Sequence, residues 1–574
     1  MKVAEYIASF VAAKTKVFWG YIGGFNADIL EKYCDLEESN FVLNYHEQAA
    51  AFAANAYSII KEKPAFATAS GAPSACNLIA GIANAYFDSN PCVFIVGSPH
   101  SLAVRKDKKT RQNAFEEIDF VHMVSDITKY AVVIKDPADV KYELEKAYYI
   151  ANHGRKGPVV IDVPYNVARE EIIDSASAYN PPSKIESEFN PKEVLDVIRN
   201  SSMPVMLVGG GARGNEVREY LKKFLTKIKL PVVASLCGLD VLSHDHECFC
   251  GFIGHYGNRY ANLAVANTDC LIVLGSRLDE RQLGGFRTRL NDKAAIIRVD
   301  IDRAELGRKF TETLSYQLTV ADFLRIMTEF DFNAFGYPSW IETIHEWKKR
   351  FPSHNTNTIT HSPNNFVNYL SDVLTDDCII CADVGQNQMT VAQSLKLEKK
   401  RRLINSAGYG SMGFSLPAAI GAAFASPETM VISVNGDGGI QMNIQELHVL
   451  VREKLPINVI VFNNSCLGMI RKTQEKLFNG KTFVSVDNYS TPGFENIAKG
   501  YGIEFLKIEN TNQYDKLISF LSDKEPRFIE VVFPINVENN PEPGDVIWNQ
   551  TPNLTEEEFE QVNEECIRCL NQKE

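Results

Sequence analysis

The stretch Val434-Asn435-Gly436-Asp437-Gly438-Gly439, with the apolar run Ile457 to Phe462 and then Asn463-Asn464 behind it, constrains this chain more than any other feature. Met430 to Val434 is short, largely apolar and β-branched, as a buried parallel strand requires, and the glycines after it let the backbone turn tightly against a ligand. Asp437 falls at the carboxyl end of that strand, where an open α/β sheet binds its ligands. A hard cation there takes oxygens from a carboxylate, a side-chain amide and the phosphates of its partner. Asn464 closes the next strand and offers the amide. Between the two, Asn443 to Lys454 carries Leu447, Leu450 and Val451 at helical spacing, which predicts a crossover that sets the two strands side by side. Gly-Asp-Gly alone would pass as an ordinary turn; with both strands and the Asn-Asn pair it reads as a magnesium diphosphate site.

This pairing resembles the thiamine diphosphate binding motif. The resemblance implies a carboxylate in another domain, near the amino terminus, that hydrogen-bonds the cofactor's pyrimidine ring. Phe41-Val42-Leu43-Asn44-Tyr45-His46-Glu47-Gln48-Ala49-Ala50 fits, with a short strand and then Glu47 at the head of an alanine-rich helix. An apolar setting raises the pKa of such a carboxylate and lets it share its proton. Without that context Glu47 is an acid in a first helical turn, where the helix dipole favours it.

The 574 residues are 45% hydrophobic, enough for several domains with separate cores, and a net charge of -13 argues against a nucleic-acid partner. Lys106-Asp107-Lys108-Lys109 and Lys399-Lys400-Arg401-Arg402 read as solvated loops. No run of about 18 apolar residues occurs, and Met1 to Glu5 lacks the basic start and apolar core of a signal peptide, so a cytoplasmic chain with no membrane partner is expected. The twelve cysteines follow no framework spacing and read as reduced thiols.

The predicted fold class is α/β, with three doubly wound parallel-sheet domains. Residues 1–175 form the first, with strands near Val17, Ala65, Cys92 and Val159; a Ser- and Pro-rich linker spans Asp174 to Phe189. Residues 190–330 form the central domain, opening with a helix from Pro191 and a strand from Pro204. Its Gly209-Gly210-Gly211-Ala212-Arg213-Gly214 matches the dinucleotide fingerprint but lacks an acidic ribose partner, so a nicotinamide site is not expected. A helical connector with Trp340 and Trp347 leads to residues 362–533, which carry the metal motif, and a polar tail, 534–574, follows. Two similar sheets around a different one predict that the first and third domains meet across a dimer interface, in a homodimer or homotetramer.

Across its whole length the chain is similar to the acetolactate synthase branch of the thiamine diphosphate enzymes. The matching motifs include Trp19 to Gly24, His46 to Ala49, Asp88 to Pro91, Gly157 to Pro164, Gly275 to Arg281, Gly385 to Met389, Gly410 to Pro417 and Leu467 to Arg471. The resemblance implies pyrimidine-binding, central and diphosphate-binding domains in that order. It assigns cofactor activation to Glu47, with Gly24, Pro73 and Asn77 as further cofactor-binding residues. Asp437, Asn464 and the carbonyl of Cys466 would hold Mg2+; Gln386, Asn387, Gly410, Gly438 and Gly439 would line the diphosphate, and Met412 would wedge between the two rings. Glu116, Lys129 and Arg281 complete the catalytic set, Arg281 gripping the carboxylate of a second 2-keto acid. The implied reaction decarboxylates pyruvate and transfers the hydroxyethyl unit to that acceptor. A regulatory subunit is left open.

Three departures from the family bear on the acceptor. Thr473 replaces its acceptor-side tryptophan, Glu116 follows Phe115 where a glutamine is usual, and Tyr165 follows Pro164 in place of a lysine. They suggest a wider acceptor pocket, so a keto sugar or other bulky carbonyl is the alternative acceptor, with plain 2-keto acid decarboxylation a further alternative for which His46 is the proton donor. The family's central domain also binds FAD. Gly209, Gly210, Gly211, Gly275, Arg277, Arg281 and Asp300 retain that site while Ser125 and His255-Tyr256 depart from it, and the balance favours FAD.

Overall fold

The computed structural model describes residues 1–107, 109–172, 178–182, 188–283, 294–308, 310–354, 360–540 and 554–571. The first unit holds β1 (Val17–Gly20), β2 (Asn40–Leu43), β3 (Ala65–Ser70), β4 (Cys92–Ser98), β5 (Tyr130–Val133) and β6 (Pro158–Pro164), in the order β2-β1-β3-β4-β6-β5. The second holds β7 (Pro204–Val208), β8 (Ile228–Lys229), β9 (Val232–Ala234), β10 (Phe249–Phe252), β11 (Cys270–Leu274), β12 (Ala295–Asp300), β13 (Leu314–Gln317) and β14 (Phe335–Gly336). Its six-stranded sheet runs β10-β9-β7-β11-β12-β13, and β8 pairs with β14 alone. In the third, β15 (Cys378–Ala382), β16 (Arg402–Asn405), β17 (Met430–Gly436), β18 (Ile457–Asn463), β19 (Glu504–Ile508) and β20 (Arg527–Val532) run β16-β15-β17-β18-β20-β19.

Every strand pair in the three large sheets is parallel, and the inner strands β3, β6, β7, β11 and β18 are buried along their whole length. That is why they read as continuous apolar runs: helices cover both faces of a parallel sheet. β17 and β18 are neighbours with Gly436 opposite Phe462, so their carboxyl ends, and Asp437 and Asn464 beyond them, lie side by side. The crossover between them is not the single helix expected. It is two 3-10 turns, Ile440–Met442 and Ile444–Glu446, and a short helix, Leu447–Arg452. Asn443 interrupts it, donating through its side chain to the Gly413 carbonyl at 2.9 Å.

The alanine-rich helix Glu47–Lys61 is packed on two sides. A Cβ on Gly81 would stand 2.1 Å from the Ala51 Cβ, and one on Gly421, in helix Ser415–Ala425 of the third unit, 2.0 Å from the Ala53 carbonyl oxygen. Small residues therefore let three helices approach closely and fix the first unit against the third. Trp340 and Trp347, on helix Pro338–Arg350, are fully buried and meet edge to face at 5.4 Å. The tail helix Glu556–Asn571 docks there: Glu565 accepts from Trp347 Nε1 at 2.6 Å and pairs with Arg350 at 2.6 Å. Residues 541–553 of the polar tail, and part of the linker after Asp174, lie outside the described residues. All twelve cysteines are free, and among the described residues no helix is long and apolar enough to cross a membrane.

Candidate active site

At the carboxyl ends of β15, β17 and β18 a cavity of about 320 Å³ opens, walled by Gln386, Asn387, Gly410, Met412, Gly436 to Gly439, Asn464 and Cys466. Asp437 is buried in it. Its Oδ1 accepts the Tyr489 hydroxyl at 3.0 Å, while Oδ2 has no hydrogen-bond partner among the described residues. Burial pushes its carboxyl up to about 6, offset in part by Tyr489 and by the amides of Ser465, Gly438 and Asn464. The Asn464 side-chain nitrogen donates to Gln386 Oε1 at 3.0 Å, which leaves its oxygen as the ligand atom. The Cys466 thiol is turned to the Ile535 carbonyl at 3.5 Å and burial raises it to about 11, so this residue offers a cation its backbone carbonyl and not its sulfur. Among the described residues no three His, Cys, Asp or Glu side chains gather as a metal cage. One carboxylate, one amide and one carbonyl suit an ion that takes its remaining oxygens from phosphate.

The glycines here answer to the protein as well as to a ligand. A Cβ on Gly439 would fall 1.9 Å from Asp383 Oδ2, and one on Gly468 1.8 Å from Gln386 Oε1. Asp383, itself buried, accepts the amides of Gly413 at 3.1 Å and Phe414 at 2.9 Å. Gly410 at φ 73° and Gly413 at φ 80° supply the left-handed turns that deliver Met412 to the cavity wall. Neither Asp383 nor Tyr489 was foreseen from sequence. Asp383 closes a strand as Asp437 does, a signal that could have been read; Tyr489 has none.

The first unit gathers a second group. Glu47 is buried at the head of its helix, accepting from Ser74 Oγ at 2.5 Å and from the Asn77 amide at 2.9 Å. Asn77 therefore holds the carboxylate, a contact not foreseen. Pro73 shares the first turn of helix Gly71–Phe87 with Ser74. Glu116, at φ 54°, lies against Gly71 and takes the Ala72 amide on its carbonyl at 3.1 Å. Gly24 faces open space. His46 caps the Glu47 helix by accepting the Gln48 amide at 3.1 Å, which is a structural task. None of Gly24, Glu47, Pro73, Asn77 or Glu116 lines the cavity that contains Asp437.

Lys129 precedes β5, at the amino-terminal end of the sheet, and its ammonium caps the Ile150 and His153 carbonyls at the end of helix Val140–Asn152. Burial lowers it to about 8, but its position makes it a helix cap. Thr473 is exposed, bonds the Met469 carbonyl at 3.0 Å and does not line the cavity, so its contribution to a wider pocket has no support in this geometry. Tyr165 stacks on Phe25 at 5.7 Å. Arg281 borders the cavity, and its guanidinium meets the Met389 sulfur at 3.8 Å; Asp279 pairs with Arg277 instead, at 3.3 Å.

A larger cavity, about 610 Å³, separates the first and second units and is bordered by Gly210, Gly211, Arg213, Gly275, Arg277 and Asp300. Gly209 is not on its wall: a Cβ there would stand 2.3 Å from the Gly275 carbonyl oxygen, so close packing of two loops explains it.

Three parallel sheets with a carboxylate at one sheet end and a Gly-Asp-Gly cavity at another define a thiamine pyrophosphate enzyme. Models of that family match the N-terminal TPP binding domain at residues 1–123, the central domain at 191–327 and the C-terminal TPP binding domain at 383–531. The acetolactate synthase large subunit of Porphyra purpurea is 34% identical over 507 residues, 86% of this chain and 85% of that one. That of Lactococcus lactis is 33% identical over 529 residues, 90% of each chain, and a probable acetolactate synthase large subunit of Methanocaldococcus jannaschii is 33% identical over 557, 93% of this chain and 92% of the other. The chain belongs to the acetolactate synthase large-subunit family and is a thiamine diphosphate-dependent enzyme of the acetolactate synthase type.

Proposed function

We propose that this enzyme takes pyruvate as donor, releases carbon dioxide and joins the two-carbon remainder to the carbonyl of a second 2-keto acid, giving 2-acetolactate when pyruvate fills both roles. The observation that carries the reading is the buried, unpartnered Asp437 Oδ2 in a glycine-walled cavity. It fits Mg2+ held by Asp437, Asn464 and the Cys466 carbonyl, with the amides of Gly438 and Gly439 and the side chains of Gln386 and Asn387 toward a diphosphate.

Thiamine diphosphate, when bound, would supply a nucleophilic carbon for the donor carbonyl and a cationic ring to accept the electron pair left by decarboxylation. The chain's part is position and dryness. Glu47, fixed by Ser74 and Asn77, exchanges a proton with the pyrimidine ring, and Gly24, Pro73 and Glu116 complete that wall. Met412 props the two rings. Arg281 has no carboxylate partner among the described residues and binds the acceptor's carboxylate.

No described residue of the first unit borders the Asp437 cavity, which supports a site assembled from Glu47 of one copy and Asp437 of another, in a homodimer or a dimer of dimers. The larger cavity is the place for FAD, with Arg213 and Arg277 suited to its diphosphate, and a flavin absorbance spectrum of the purified protein tests this. The function itself is tested by product analysis with pyruvate as the sole keto acid. Acetolactate at steady turnover is expected; carbon dioxide without acetolactate would assign the acceptor role to a bulkier carbonyl.

A further inference from the structure

The segment after helix Gly468–Leu477 folds back on the metal loop and is held there at several points. The Ser485 carbonyl accepts the Leu467 amide at 2.9 Å, the Ser485 hydroxyl bonds Gln474 Oε1, and Gln474 Nε2 donates to the Phe483 carbonyl at 2.8 Å. Val484 at φ 63° and Asn488 at φ 62° sit in the left-handed region, a strained conformation for a β-branched residue that the surrounding contacts must hold. This path ends with the Tyr489 hydroxyl on Asp437 Oδ1 at 3.0 Å. The Tyr489 hydroxyl oxygen lies 3.0 Å from where a Gly438 Cβ would stand, so the glycine beside the aspartate leaves room for the phenol.

We infer that Tyr489 is a positioning residue for the divalent cation: by donating to Oδ1 it fixes the rotation of the Asp437 carboxylate and reserves Oδ2 as a single ligand oxygen. This rests on the Mg2+ reading above. A carboxylate with both oxygens free can swing or bind through both, whereas Mg2+ demands near-octahedral geometry. A hydrogen bond to the distal oxygen selects one mode, and groups that orient a ligand in this way set metal affinity.

Mn2+ serves as the probe, with the free ion followed by electron paramagnetic resonance at saturating thiamine diphosphate. Tyr489→Phe is expected to raise the Mn2+ Kd roughly tenfold to a hundredfold while the melting temperature of the metal-free protein stays unchanged. A Kd that is unchanged or lower overturns the inference. If the Phe variant does not fold, Tyr489→His, which keeps a ring N–H donor, is compared with Tyr489→Leu; equal affinities overturn it, and tighter binding by His supports it. Asp437→Ala separates the two layers: if it leaves Mn2+ binding intact, the cation reading falls and this inference with it, whereas loss in Asp437→Ala beside normal binding in Tyr489→Phe removes the inference alone.

Discussion

Glu446 reaches from the third unit to the first, its Oε2 accepting the Asn44 side-chain amide at 2.9 Å. Its other oxygen takes the amides of Tyr45 at 2.8 Å and His46 at 3.2 Å, so one fully buried carboxylate holds the three residues that precede Glu47. Glu446→Ala leaves those donors unpaired and is expected to cost about 2 to 4 kcal/mol in denaturant-measured stability, with activity lost alongside because the Glu47 helix head is no longer held.

The same group gives a pH dependence. Burial pushes its carboxyl from 4.5 up to about 7, so between those values the folded chain keeps a proton that the unfolded chain has released. Its contribution to stability is complete below pH 4.5 and is lost as pH rises through about 7. Asp383, raised to about 6 by burial, acts with the same sign. Glu446→Gln should flatten the decline by up to ~1.4 kcal/mol per pH unit, measured by urea unfolding across that window. An unaltered slope would show that the carboxylate is ionised throughout.

Glu47→Gln keeps the shape of the side chain that Ser74 and Asn77 hold but removes the exchangeable carboxyl. Turnover of pyruvate should fall roughly a hundredfold to ten-thousandfold with little change in melting temperature, as kinetics and calorimetry on one preparation would show.

Gly439→Ala places a methyl 1.9 Å from Asp383 Oδ2, and Asp383 is held by two backbone amides and has little room to move. Overpacking of this kind costs about 1 to 3 kcal/mol. Loss of thiamine diphosphate affinity should accompany it, because the Met412 loop hangs on the same aspartate.

Arg281→Ala should leave carbon dioxide release from pyruvate nearly intact and cut kcat/KM for the acceptor by roughly tenfold to a hundredfold, the range of a lost charged hydrogen bond. Equal losses in both half-reactions would place Arg281 in donor binding.

The parts of the site legible in sequence are those written in contiguous residues. Asp437 and Asn464 end apolar strands, and Glu47 opens a helix, so each carries its own local signature. Tyr489 lies 52 residues from Asp437 and Glu446 402 from Asn44, so only the folded chain brings these pairs together. β5 and β13 are edge strands, partly exposed along their length, β13 has no continuous apolar run, and β9 is only three residues long, so none carries the signature of a buried inner strand. The crossover after Gly439 departs from a single helix because Asn443 and Glu446 spend helical positions on contacts to other elements.

The division of one site between two copies is tested by complementation. Glu47→Gln and Asp437→Ala, each inactive alone, are co-expressed and the mixed oligomer is assayed with thiamine diphosphate, Mg2+ and pyruvate. Hybrid dimers carry one site with both residues intact, so acetolactate production should return to a substantial fraction of wild type. Mixtures that form hybrids and stay inactive would contradict the account, placing Glu47 and Asp437 of the same chain in one site.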